Sequence, residues 1–280
     1  MRFRPFGSRV NLRHGKAVEQ MRDACQIAAE ILQKVRHEVR AGVTTGDVDR
    51  AAADFIAEAG CTSAFLGYQG KGKRRFPGNI CISMNEEVVH GIGSDRVIQD
   101  GDIVKIDVGV KTRQGWIGDN AMTVPVGEIS PAVERLLYAT EESLDAAVEC
   151  AQSGAYLGEL CGAVEDCVVS YGYSVVRDLV GHGVGRKLHE PPQVPNYLSD
   201  ERDMRLKLKP GLFLAVEPMV NMGTGDTKEL DDGWTVISAD EKPSAHFEFT
   251  IHVTDEGPEI MTPRERLIPR GRFQPGPALK

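Results

Sequence analysis

The N-terminal part of the chain places its apolar residues with the period of an α-helix. Between residues 16 and 40 the positions that follow this period are Val18, Met21, Cys25, Ala28, Ile31, Leu32 and Val35. The spacing predicts one amphipathic helix. Thr44 and Thr45, followed by Gly46 and Asp47, offer an N-cap for a second helix, which we expect to stop at Gly60.

A second passage of the chain repeats this plan. Ser130 and Pro131 are typical of a helix start, and a shorter helix is expected to end near residue 172. Placing residues 41–60 on residues 153–172 matches Gly42 with Gly154, Gly46 with Gly158, Ala51 with Ala163, Asp54 with Asp166, and Gly60 with Gly172. We interpret the match as an internal duplication, although similar helix caps alone would produce part of it. A duplication predicts an α+β protein of two related halves, with a site in the cleft between them.

The period changes to two in residues 100–127, which is typical of a β-hairpin. A turn at residues 112–115 would place Asp107 opposite Asp119 or within one residue of it. Carboxylates that face each other across two strands repel, and a divalent cation between them would remove the conflict. The alternative is that one aspartate lies in the turn and is solvated.

Three further side chains suit a metal site. His182 stands among glycines, which leave room for an imidazole to approach a ligand, although such a histidine is often only a loop residue. Glu217 and Glu248 interrupt strongly apolar strand patterns, so each needs a metal ion, a proton, or a buried Arg or Lys partner. We expect His246, Glu248, Thr250 and His252 to share one face of a strand. Two Asp, one His and two Glu form a ligand set for two adjacent ions.

Composition narrows the class of protein. The formal charge of −8 and a pI near 5.5 argue against a protein that mainly binds nucleic acid or an anionic membrane. The cysteines, at positions 25, 61, 81, 150, 161 and 167, form no CxxC pair, which indicates a reducing compartment. No run of eighteen apolar residues occurs. These features predict a cytoplasmic protein without a membrane segment.

Six separated sequence motifs resemble those of one known protein family. They are GNICISMNEEVVHGI, KIDVGV, GWIGDNAMTV, GHGVGRKLHEPPQVPNY, PGLFLAVEPMV and HFEFT. In order and spacing they resemble the motifs of type I methionine aminopeptidases. The resemblance implies the pita-bread fold, with two pseudo-symmetric halves, central antiparallel strands and outer helices. We expect a basic arm over residues 1–15, one catalytic domain over residues 16–265 and a C-terminal tail over residues 266–280.

The resemblance also implies roles for single residues and an activity. Asp107 would bind one divalent ion, His182 and Glu217 the other, and Asp119 and Glu248 both. The ions would be Co, Mn, Fe or Zn and would activate a bridging water to remove the N-terminal methionine of peptides and nascent proteins. His90 would contact the scissile amide and His189 the developing oxyanion, while Glu217 could also carry a proton.

The methionine pocket implied by the resemblance is apolar and aromatic. Its candidate residues are Phe65, Tyr68, Phe76, Cys81, His90, Leu188 and Trp234, several of which could instead be plain core. The chain departs from the family pattern at a basic insertion in residues 71–75. It also departs at Phe65, Leu188, His246 and Phe249. These departures concern the size of the pocket and the tuning of the metal ligands.

Two other functions remain open at this point. A proline-specific aminopeptidase or prolidase shares the fold and a similar metal set, but usually has an additional N-terminal domain. A non-catalytic binding protein would keep the fold and lose the metal. The insertion and the N-terminal arm, with Arg2, Arg4, Arg9 and Arg13, are either solvated segments or weak contacts with ribosomal RNA. We expect a monomer.

Overall fold

The protein is described from a computed structural model that covers residues 10–70, 74–200 and 202–277. Within these ranges the α-helices are α1 (Lys16–Glu38), α2 (Thr45–Glu58), α3 (Pro131–Cys150) and α4 (Leu157–Ser170), and Arg202–Arg205 form a short 3-10 helix. The predicted caps are present. Thr44 and Asp47 form a capping box at α2, and Ser130 accepts a hydrogen bond from Val133 N at the start of α3.

Short strands pair into several antiparallel sheets. The strands are β1 (Thr62–Ser63), β2 (Cys81–Met84), β3 (Glu87–Val89), β4 (Ile103–Lys111), β5 (Ile117–Pro125), β6 (Ser174–Val175), β7 (Gly181–Gly183), β8 (Glu190–Val194), β9 (Phe213–Val216), β10 (Met219–Asn221), β11 (Thr227–Glu229), β12 (Val236–Ser238), β13 (Ser244–His246), β14 (Phe249–Thr254) and β15 (Gly257–Ile260). In one sheet β4 pairs with β1, β2 and β5, and another has the order β15-β14-β9-β7-β8. Smaller sheets have the orders β13-β10-β6 and β11-β12-β3.

The helix pairs α1–α2 and α3–α4 make equivalent backbone hydrogen bonds just before their second helices. Gly42 N donates to Ile98 O at 2.9 Å, and Gly154 N donates to Leu208 O at 2.9 Å. Ile98 and Leu208 each donate a hydrogen bond back to the residue that follows that glycine. The matched glycines have positive φ in both copies: 90° and 87° at Gly42 and Gly154, and 66° and 77° at Gly60 and Gly172. The repeated sequence therefore folds into a repeated structure, in which only glycine is unstrained at these turns.

The hairpin of β4 and β5 has a different register from the predicted one. Asp107 lies opposite Ala121, and Asp119 lies opposite Gly109, so the expectation of opposite or adjacent aspartates is wrong by one residue. Thr112 N donates to Trp116 O at 2.9 Å, so these two residues continue the pairing and the loop contains only residues 113–115, which shifts the register. Because side chains alternate between faces, this register places both aspartates on one face of the sheet.

The chain segment around each glutamate changes from one sheet to another. Glu217 follows β9 and precedes β10, whereas Glu248 lies between β13 and β14. β10 pairs with β13, and β9 pairs with β14. The prediction of one continuous strand through residues 246–252 is therefore wrong. The backbone breaks at Glu248 because its partner segment also breaks at that level, between β9 and β10. The N–H of Glu248 donates instead to Ala121 O of β5 at 2.9 Å.

One apolar core extends through both halves. It includes Leu32 and Val35 of α1, Ile106 of β4, and Leu136 and Leu137 of α3, all nearly inaccessible to solvent. The segment after β15 packs on α3. Arg264 forms an ion pair with Glu141, and Gly271 N donates to the Tyr138 hydroxyl at 2.9 Å. Residues 1–9, 71–73, 201 and 278–280, which include parts of the basic arm, the insertion and the tail, lie outside the described residues.

Candidate metal centre

Three carboxylates from three strand segments meet at the centre of the protein. Asp107 of β4, Asp119 of β5 and Glu248 between β13 and β14 each offer an oxygen, and these atoms lie within 4.8 Å of one another. Gly109 makes the approach feasible. A Cβ at that position would lie 2.7 Å from two ring carbons of Phe65 and 3.2 Å from Asp119 Oδ1. Only a residue without a side chain leaves Phe65 and the Asp119 carboxylate in place.

His182 and Glu217 extend this group on one side. His182 Nε2 lies 3.8 Å from Asp119 Oδ2 and 3.4 Å from Glu217 Oε1. Nδ1 of His182 lies 3.0 Å from Gly183 O, and a carbonyl oxygen only accepts, so the proton is on Nδ1. The lone pair of Nε2 therefore points at the carboxylates, as it does in histidines that bind metal ions.

Burial dominates the electrostatics of the cluster. It raises the pKa of Asp107 well above its usual value, with a further rise from the neighbouring Asp119, and it raises the pKa of Asp119 to about 7. Burial first, and then the neighbouring carboxylates, raise the pKa of Glu217 and Glu248 well above the usual range. Burial lowers the pKa of His182, and the nearby His189 lowers it further. A proton or a cation must therefore compensate the carboxylates.

The residues fit divalent metal ions. Among the described residues, Asp107 Oδ1, Asp119 Oδ1 and Glu248 Oε1 are buried side-chain oxygens without a hydrogen-bond partner. Unpaired buried carboxylate oxygens are costly, and a bound cation removes this cost. Carboxylate oxygen together with imidazole nitrogen is a donor set that Mn, Fe, Co and Zn accept. All five residues predicted as ligands thus lie together.

Of the two predicted catalytic histidines, His189 contacts this centre and His90 lies beside Trp234 of the neighbouring apolar residues. The rings of His182 and His189 are 4.3 Å apart between centroids, and His189 Nδ1 lies 2.6 Å from the Tyr68 hydroxyl. His90 follows β3 with a φ of 61°, which is rare for a residue with a side chain. Such strain is concentrated at functional sites, since the surrounding structure must hold the residue in place.

The predicted pocket residues form one apolar cluster beside the carboxylates. Its members include Phe65, Phe76, Cys81, Leu188 and Trp234, with Tyr68 at its edge. Trp234 lies edge-on to Phe76 at 5.2 Å and to His90 at 6.3 Å between ring centroids. Cys81 lies directly opposite Asp107 in the pairing of β2 and β4, so the apolar cluster and the carboxylates adjoin. His90, the remaining predicted pocket residue, adjoins the cluster through Trp234.

One residue of the site was noted in the sequence only as a departure from the family pattern, without an assigned role. His246 is 1% exposed, and its Nε2 lies 3.7 Å from Glu217 Oε2. Burial lowers the pKa of His246 to about 3. The sequence carried a signal for it, because His246 precedes Glu248 by two positions on the same predicted strand face. That pattern does not say which side chain of another strand the imidazole meets.

Two structurally related halves enclose a buried carboxylate and histidine cluster beside an apolar pocket, an arrangement suited to a metal-dependent hydrolase. The sequence model of metallopeptidase family M24 matches residues 19–255. The chain belongs to this family. It is 44% identical over 253 residues to the methionine aminopeptidase of Clostridium perfringens, an alignment that covers 90% of this chain and 98% of that protein. The family resemblance seen in the motifs is therefore confirmed.

Solved structures agree with this assignment. The crystal structure of methionine aminopeptidase from Rickettsia prowazekii superposes with a TM-score of 0.85 at 38% identity, covering 91% of this chain and all of that one. Prolidase from Pyrococcus furiosus has a TM-score of 0.72 at 23% identity, and 66% of its chain is covered, which shows a shared fold only. The predicted pita-bread fold is confirmed. Among the described residues, no helix has the length and apolar character needed to cross a membrane.

Proposed function

We propose that this protein removes the N-terminal methionine from peptides and nascent proteins as a metal-dependent aminopeptidase. One observation carries the proposal: the carboxylates of Asp107, Asp119 and Glu248 converge within 4.8 Å. His182 and Glu217 adjoin them. The match to methionine aminopeptidases over nearly their full length favours methionine as the residue removed.

We assign two divalent ions to this cluster. Asp107 would hold one ion and His182 with Glu217 the other, while Asp119 and Glu248 would contact both. Asp119 is suited to bridging, because its carboxylate belongs to the group of three and also faces His182. Ions bound here would supply an activated water and polarise the scissile carbonyl. The identity of the ions stays a prediction among Co, Mn, Fe and Zn.

The chain's own residues would orient the substrate. The apolar cluster around Trp234, Phe65 and Cys81 would hold the methionine side chain next to the carboxylates. His90 would contact the scissile amide, and His189, held by Tyr68, would donate a hydrogen bond to the oxygen that gains charge. Glu217 would ligate an ion and carry a proton, since its pKa is raised well above that of an ordinary glutamate.

Peptide hydrolysis tests this function. Metal-depleted protein, and the same protein reloaded with Co, Mn or Fe, would be incubated with Met-Ala-Ser and Ala-Pro-Ser, and the released amino acid identified. We expect metal-dependent release of methionine alone. Release of alanine alone would instead assign the chain to the proline-specific relatives, and no release with any ion would favour a non-catalytic binding protein.

A matched pair of variants connects the activity to the cluster. Asp119→Asn removes the charge of a central buried carboxylate, whereas Asp54→Asn makes the same change on the exposed side of α2. Asp119→Asn is expected to lose metal binding and activity, and Asp54→Asn to keep both. Equal activity of the two variants would refute the assignment of Asp119. The monomeric state, the cytoplasmic location and a ribosome contact stay predictions.

A further inference from the structure

His246 is an imidazole in the interior of the protein, close to the carboxylate of Glu217. Within the described residues, neither Nδ1 nor Nε2 has a hydrogen-bond partner, although the side chain is only 2% exposed. Leaving a buried donor or acceptor unsatisfied destabilises the folded protein, because the group loses its hydrogen bonds to water. A histidine in this condition calls for an explanation, because an apolar residue of similar size would fill the space without that cost.

The backbone holds His246 at a defined position. Its N–H donates to Thr123 Oγ1 at 2.9 Å, and the Thr123 hydroxyl donates back to His246 O at 2.8 Å. His246 also pairs with Met219 across β13 and β10. Thr123 belongs to β5, the strand that carries Asp119, so the same strand positions both the His246 backbone and a carboxylate of the cluster.

Glu217 lies between two imidazoles. Its Oε1 is 3.4 Å from His182 Nε2, and its Oε2 is 3.7 Å from His246 Nε2. Nε2 of His182 has a lone pair toward the cluster and cannot donate, because its Nδ1 carries the proton. His246 has no such constraint, so Nε2 can carry a proton and donate. The 3.7 Å separation exceeds a hydrogen bond by about 0.7 Å, so the bond forms once one of the two side chains moves by that distance.

We propose that His246 is a positioning residue that donates a hydrogen bond from Nε2 to Glu217 Oε2 and thereby directs Oε1 toward a bound metal ion. The inference rests on the proposed metal centre and deepens it. A ligand carboxylate with one oxygen held by a donor loses less freedom when it binds an ion, and removal of such outer partners commonly weakens metal binding 10–100-fold. His246 would act through Glu217 without touching substrate or metal.

Metal titration tests the role separately from catalysis. Metal-depleted wild-type protein, His246→Leu and His246→Gln would be titrated with Mn²⁺ by calorimetry, and their thermal unfolding without metal recorded. We expect His246→Leu to bind Mn²⁺ at least about 10-fold more weakly than wild type. His246→Gln keeps an N–H donor on a side chain of similar reach, so it should recover most of the affinity.

A second buried histidine of the neighbouring strand provides the control. His252 of β14 stacks on Phe213 and has its Nδ1 3.3 Å from Glu259 Oε2, so His252→Leu should leave Mn²⁺ affinity unchanged. Unaltered affinity in His246→Leu, or equal losses in the Leu and Gln variants, would overturn the role of His246. A wild-type protein that binds no Mn²⁺, Co²⁺ or Fe²⁺ would overturn the metal centre itself.

Discussion

The hydroxyl of Tyr68 lies 2.6 Å from Nδ1 of His189. Burial raises the pKa of Tyr68, and desolvation in the cleft lowers that of His189, so both groups are neutral near pH 7. When the hydroxyl donates to Nδ1, the imidazole proton stays on Nε2. His189 then presents an N–H donor to the cleft, which is the form that an oxyanion needs.

Removing the Tyr68 hydroxyl should therefore slow catalysis without weakening the metal centre. Tyr68→Phe is expected to lower kcat about 10-fold, and His189→Ala about 10²–10³-fold, as for the loss of an oxyanion donor. Because both changes act on one donor, the double variant should be no slower than His189→Ala. Steady-state kinetics of all three variants measures this. A full additional loss in the double variant would mean that Tyr68 acts independently of His189.

Protons and metal ions should compete for the carboxylate cluster. The pKa of Asp119 is raised to about 7 in the metal-free protein, and burial, followed by the neighbouring Asp119, raises the pKa of Glu248 well above its usual value. At pH 6 Asp119 holds a proton that a cation must displace, so metal affinity should increase as the pH rises through about 7. Each proton released corresponds to about a tenfold change in affinity per pH unit.

Calorimetry at pH 6, 7 and 8, in buffers that differ in ionisation enthalpy, counts the protons released on Mn²⁺ binding. His182 adds no competing proton in this range, because its pKa is lowered well below the usual value. Affinity that does not change with pH would show that the carboxylates are already ionised in the metal-free protein.

The absence of a side chain at position 109 should be required for the geometry of the site. In Gly109→Ala the new Cβ would lie 2.7 Å from the Phe65 ring, so the ring or the Asp119 side chain must shift. Overpacking of this kind costs about 1–3 kcal/mol. We expect lower stability in urea unfolding and weaker Mn²⁺ binding. Combining the change with Phe65→Leu should restore part of both losses, and the absence of rescue would show that Phe65 is not the obstacle.

The ion pair of Arg264 and Glu141 is almost completely buried, with side-chain exposures of 3% and 2%. Arg264 also lies over the rings of Phe247 and Phe249, at 4.8 and 5.0 Å from their centroids. Arg264→Met leaves the Glu141 charge buried and should cost about 3–5 kcal/mol in urea unfolding. Adding Glu141→Leu removes that charge, so the double variant should be more stable than Arg264→Met alone. A less stable double variant would contradict this account.

Local patterns in the sequence predicted the helices well. The apolar period of three and four residues and the caps at Thr44 and Ser130 act within a few residues, so they do not depend on the rest of the fold. The matched glycines predicted the duplication for the same reason, because each marks a turn with positive φ. The strands around Glu217 and Glu248 were predicted less well, since a strand is defined by partners that lie far away in the chain.

The amino-acid sequence by itself determined which side chains could serve as ligands, that Glu248 would be buried and Glu217 largely so, and which family the chain resembles. Only the tertiary structure decided the hairpin register that puts Asp107 and Asp119 on one face, the sheet changes at the two glutamates, and the placement of His246 beside Glu217. The physical reason is the separation along the chain of the residues that interact. Burial preference and capping are properties of a short segment, whereas register and side-chain proximity follow from how all the strands pack against one another.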